Sequence, residues 1–161
     1  MKNVIFYIIL YIGLCLLQFF FGKYINIYGI FPNFILIVIV YLGLSKGIID
    51  AELTGFLFGL TWDVFSSEVF GVTAVMFTVI GYFAGRIHRN FNREKVFTQF
   101  VIVFFASIIY CLGANLFYFI FTDNRNYAVS FIAKPGFVNI IVTVFAAPVV
   151  FYILDRIRRY A

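Results

Sequence analysis

A bundle of helices that threads a lipid bilayer six times is the architecture this sequence predicts, and three observations predict it. Of the 161 residues, 64% are hydrophobic and 22% aromatic, against only 12% charged. A soluble domain is about a quarter charged, and one of this size has too much surface to hide so many Phe and Tyr side chains. The apolar residues also fall into runs of helical length separated by short polar breaks, and the basic residues crowd into alternate breaks. The chain is therefore expected to be one all-α membrane domain over residues 1–161, with no room for a second, soluble one.

The first run, 4–21, follows Lys2 and has no small-residue cleavage site after it, so it reads as an uncleaved span and not as a signal peptide. The second, 31–44, begins after the stop signals Gly29 and Pro32. The third, 48–62, is divided from it by a tight turn within "GLSKGII"; fusing the two would leave five spans. The fourth covers 70–85. These middle three reach only about 21–24 Å at 1.5 Å per residue, short of the about 30 Å of a hydrocarbon core. Such helices start in the interface or thin the bilayer locally, at modest cost. The fifth, 96–121, and the sixth, 136–154, are long enough to cross unaided.

Charge orients the bundle. With the N-terminus in the cytoplasm, the inner breaks hold Lys2, Lys46, Arg86, Arg89, Arg93, Lys95, Arg156, Arg158 and Arg159. The outer ones hold only Lys23, Arg125 and Lys134. That asymmetry is what the positive-inside rule requires of six spans with both termini cytoplasmic. A five-span threading would put either "RIHRNFNREK" or "DRIRR" on the wrong side. The same clustering accounts for the net charge of +5 without a nucleic-acid partner; the partner it implies is the bilayer.

Chemistry-bearing residues are sparse. Cys15 and Cys111 each sit inside an apolar run, and His88 lies in a basic loop, so no metal-ligand spacing exists. There is no phosphate-cradling glycine loop and no Ser-His-Asp set. No cofactor and no catalytic centre are expected. What the spans do carry are small residues four apart, the spacing that lets lipid-embedded helices approach closely: Gly43/Gly47, Gly55/Gly59 and Gly81/Gly85, with Ala74 and Thr78 continuing the last pair. Ser107, Cys111 and Ala114, and Asn139, Thr143 and Ala147, form comparable stripes on the last two spans. Such stripes either pack the chain's own helices or receive a partner's.

Asp63 stands where the third run surfaces, in "GFLFGLTWDVFSSEVFG". A carboxylate there can accept backbone N–H bonds as a cap at the start of the fourth helix, or it can contact a partner. Ser66 and Ser67 are further caps, and Glu68 belongs to the same rim. Glu52 lies six residues on from Lys46, close enough to pair with it or to reach the interface.

The order of these features resembles the MreD family of bacterial rod-shape-determining membrane proteins. The similarity is carried by Pro32 and Asn33 before a Leu/Ile run, then by "GFLFGLTWD" with Gly55, Gly59, Leu60 and Asp63. Gly71 follows the loop, and "GYFAGR" with Gly81, Tyr82, Gly85 and Arg86 closes the fourth span. Many members have Asp where this chain has Asn33. The resemblance implies a non-enzymatic scaffold of the cell-elongation machinery, similar in fold to the six-helix S-components of vitamin transporters. It also implies a single-span MreC-like partner and, through it, a RodA-type glycosyltransferase, a class B penicillin-binding transpeptidase and MreB. The expected mechanism is docking, with small-residue faces receiving a partner's span and Asp63 fixing the outer rim. A reading from another class is a small-molecule-binding subunit of a vitamin-type transporter, with Trp62 and the Asp63–Glu68 loop lining an outward pocket.

Overall fold

The computed structural model describes residues 12–16, 18–20, 30–65, 69–87, 96–121 and 134–160. Every regular element among them is an α-helix: α1, described over 12–16 and 18–20, α2 (Phe34–Lys46), α3 (Ile48–Phe65), α4 (Val72–Ile87), α5 (Val96–Phe121) and α6 (Lys134–Tyr160).

At the centre lies α2. Ile35 through Val40 are at most 1% exposed, and Tyr41 and Leu44 are also buried. A helix apolar on all sides has no face to offer water, and it is stable only when surrounded. Here α3, α4, α5 and α6 all pack against it. The helix begins three residues later than the apolar run, because the residue before a proline is pushed out of helical conformation and Asn33 caps the new start. The Asn33 side chain accepts the Leu36 N–H at 3.0 Å. It ends at Gly47, whose φ of 100° lies in the left-handed region that glycine enters at no steric cost. The Gly47 N–H bonds back to the Gly43 carbonyl at 3.1 Å, and α3 reverses direction immediately.

From that turn α3 and α4 run as a close antiparallel pair. α3 continues to Phe65, past the Trp62 where its apolar run ends, so Asp63 is inside the helix and not beyond it. α6 likewise extends through the charged "DRIRR" to Tyr160. Phe77 stacks on Tyr110 at 5.3 Å, joining α4 to α5, and Phe100 meets Phe145 edge-on at 5.9 Å between α5 and α6. By length and composition α5 and residues Gly136–Ile157 of α6 can each cross a bilayer, while α2 and α4 are shorter apolar helices. Exposed Phe, Leu, Ile and Val side chains line the outsides of α3, α5 and α6, as expected where lipid is the solvent.

Candidate functional site

The glycine spacing finds its match within the chain. A Cβ on Gly59 would stand 2.3 Å from the Ala74 Cα, and one on Gly55 would stand 2.6 Å from the Phe77 carbonyl oxygen. From the other helix, a Cβ on Gly81 would meet the Ala51 carbonyl oxygen at 2.6 Å, and one on Gly85 the Ile48 Cα at 2.4 Å. These four contacts form one antiparallel ladder in which each helix presents a pair of glycines to the other's backbone. Gly43 of α2 adds a third side, with its missing Cβ 2.6 Å from that of Ala84. Backbones this close gain dispersion contacts that lipid chains cannot match. Gly43, Gly55, Gly59, Gly81 and Gly85 are thus covered by α2, α3 and α4 themselves, whereas Gly47 has open space around it.

Asp63 completes the ladder at its upper end. It is 4% exposed. Its Oδ2 accepts the Gly71 N–H at 2.9 Å and the Ala74 N–H at 3.1 Å, and its Oδ1 accepts the Thr73 N–H at 3.3 Å. The first turn of any helix leaves N–H groups without intrahelical partners, and in a buried setting each such orphan is costly. α4 has its orphans met by a side chain from the preceding helix, and the negative charge sits at the positive end of the α4 dipole. Gly71 makes the geometry possible: its φ of 93° turns the chain so that its own N–H points back at the carboxylate. Ser66 and Glu68, expected at the same rim, lie outside the described residues.

Pro32 and Asn33 sit in a second polar knot, where three parts of the chain meet. The Phe31 N–H donates to Asn139 Oδ1 and the Asn33 N–H to Thr143 Oγ1, each at 3.0 Å, both acceptors on α6. From α1, Gln18 Oε1 accepts the Phe34 N–H at 2.8 Å, while its Nε2 donates to the Pro32 carbonyl at 3.4 Å. Buried irregular backbone has to find its hydrogen-bond partners within the protein, and these side chains supply them. Asn139 and Thr143 were visible as a stripe; Gln18 was not singled out, although a lone strongly polar residue in a run of eighteen apolar positions is a signal of buried hydrogen bonding. At the far end of α2, the Tyr41 hydroxyl donates to Asp155 Oδ1 at 2.8 Å.

Glu52 is half-buried near the start of α3 and Asp50 is exposed in its first turn. Among the described residues no three His, Cys, Asp or Glu side chains converge as metal ligands. The arrangement holds helices in register and leaves outward apolar faces. Compared with known proteins, residues 1–157 match the family model described as rod shape-determining protein MreD. No curated protein and no solved structure matches the chain.

Proposed function

The chain belongs to the MreD family of rod shape-determining membrane proteins, which its match over residues 1–157 establishes, and from that premise we propose that it is a non-enzymatic scaffold of the cell-elongation complex. In this reading it crosses the cytoplasmic membrane six times with both termini inside, in a bundle of the kind that transporter S-components use. It docks an MreC-like single-span protein, and through that partner it supports the RodA-type glycosyltransferase, the class B transpeptidase and the MreB filaments that build lateral wall.

The family match across nearly the whole chain carries the proposal. Two physical features support it. The α2–α3–α4 unit is tied by interlocked glycines and a buried cap, so it can hold a partner in a fixed position without rearranging. The outward faces of α3 and α4 expose mainly Ile, Leu, Phe and Val side chains, as suits a surface for another transmembrane helix.

The test is purification from mild detergent after co-expression with both an MreC-like single-span protein and an energy-coupling ATPase module. Recovery of the single-span protein at a defined stoichiometry is expected. Recovery of the ATPase module alone overturns the scaffold reading in favour of a transporter subunit.

A further inference from the structure

The outward face of α3 is one that lipid covers poorly. Ile49, Leu53, Phe56, Leu57 and Val64 project from this helix, exposed, along a single stripe. From Ile49 to Val64 that stripe rises about 22 Å at 1.5 Å per residue, below the about 30 Å of a hydrocarbon core. The neighbouring α4, with 16 residues, is equally short, whereas α5 has 26 and α6 has 27. A bilayer in contact with the α3 side has to thin, while on the α5 and α6 side it does not.

Charge points the same way. Asp50 and Glu52 stand on opposite flanks of the stripe, at the end of α3 that the proposed topology puts in the cytoplasm. Successive residues of a helix are about 100° apart, which places these two on either side of Leu53. Among the described residues, neither carboxylate has a hydrogen-bond or ion-pair partner. The Thr54 hydroxyl donates to the Asp50 backbone carbonyl and leaves the side chain open. The α3 N-terminus tolerates two anions through its dipole but occupies neither. The other charged residues described at this level are the cations Lys46, Arg86 and Arg156 and the carboxylate Asp155, which accepts the Tyr41 hydroxyl. Anionic headgroups of the cytoplasmic leaflet are drawn to those cations and repelled from Asp50 and Glu52.

A thinned bilayer and repelled headgroups both disfavour lipid as the occupant, and a protein helix relieves both. We propose that the outward face of α3 is the docking surface for one transmembrane helix of a single-span partner whose cytoplasmic end carries Lys or Arg, placed against Asp50 and Glu52. The positive-inside rule supplies such a residue on a span entering from the cytoplasm. This rests on the scaffold reading and gives that reading its surface.

The test uses the full chain co-expressed with the MreC-like protein, with a photo-crosslinking residue at Leu53 or Leu57, and as controls at Leu112 or Leu116 on the exposed side of α5. Crosslinks to the partner from the α3 positions at least tenfold above those from α5 are expected. Glu52→Lys with Asp50→Lys should lower partner recovery at least tenfold, and Lys/Arg→Glu at the partner's cytoplasmic end should restore it. If the partner co-purifies but crosslinks from α5, or α3 captures only lipid, this inference is overturned and the scaffold reading stands. If no single-span partner co-purifies with the unaltered chain, the scaffold reading itself falls.

Discussion

Asp63 meets three backbone N–H donors and is nearly inaccessible, so its value lies in what its removal strands. Asp63→Ala leaves those amides without an acceptor in a site that water cannot easily enter, and a loss of about 3 kcal/mol is expected. Asp63→Asn keeps one acceptor oxygen and gives up the charge, for a loss of about 1.5 kcal/mol. Gly71→Ala has open space for its methyl group but must hold a left-handed φ, which costs about 1–2 kcal/mol. Thermal unfolding in detergent ranks the three. A Gly71→Ala loss as large as that of Asp63→Ala would show that the turn, and not the carboxylate, holds the two helices together.

Between elements, the four-residue glycine spacing decides how near two backbones come. Gly59→Leu drives a side chain into the Ala74 backbone; α3 and α4 must separate, which breaks the Asp63 cap as well, and a loss of about 3 kcal/mol or more is expected. Gly113→Ala is a contrast, because its Cβ meets the sulfur of Met76, a flexible side chain that can move aside. Folded yield after purification should fall sharply for the first and stay near the unaltered level for the second. How far these elements could be read from sequence follows from the same contacts. α5 was legible from end to end because polar residues, Lys95 before it and Thr122 after, bracket a predominantly apolar run without a single charge. The glycine spacing announced close approach but not which helix approaches, since a stripe on one element carries no address. Asp63 looked like the end of a helix because hydropathy falls there, and only the amides of α4 show why a carboxylate is carried inside the last turn. Gln18 went unnoticed for a related reason: its partners are the backbone of Pro32 and Phe34, and a backbone group has no signature in sequence.

For the whole molecule, the proposed threading makes a direct forecast. Affinity tags at the two ends should both be reached by antibody in inverted membrane vesicles and shielded in intact spheroplasts; tags reachable on opposite sides would remove the six-span reading. The composition made membrane residence legible at once, whereas the arrangement of helices around α2 was not, because a helix apolar on every side gives no direction to its neighbours. That arrangement bears on how the chain is made. α2 is joined at its start to Gln18, which is synthesised before it, and to Asn139 and Thr143, which are synthesised more than a hundred residues after it. While the ribosome is still producing α5, the amides of Phe31 and Asn33 have yet to meet their acceptors, and the central helix has yet to gain its last neighbour. A nascent chain halted before α6 should accordingly be a substrate for membrane quality-control proteases, and release of the final segment should end that vulnerability.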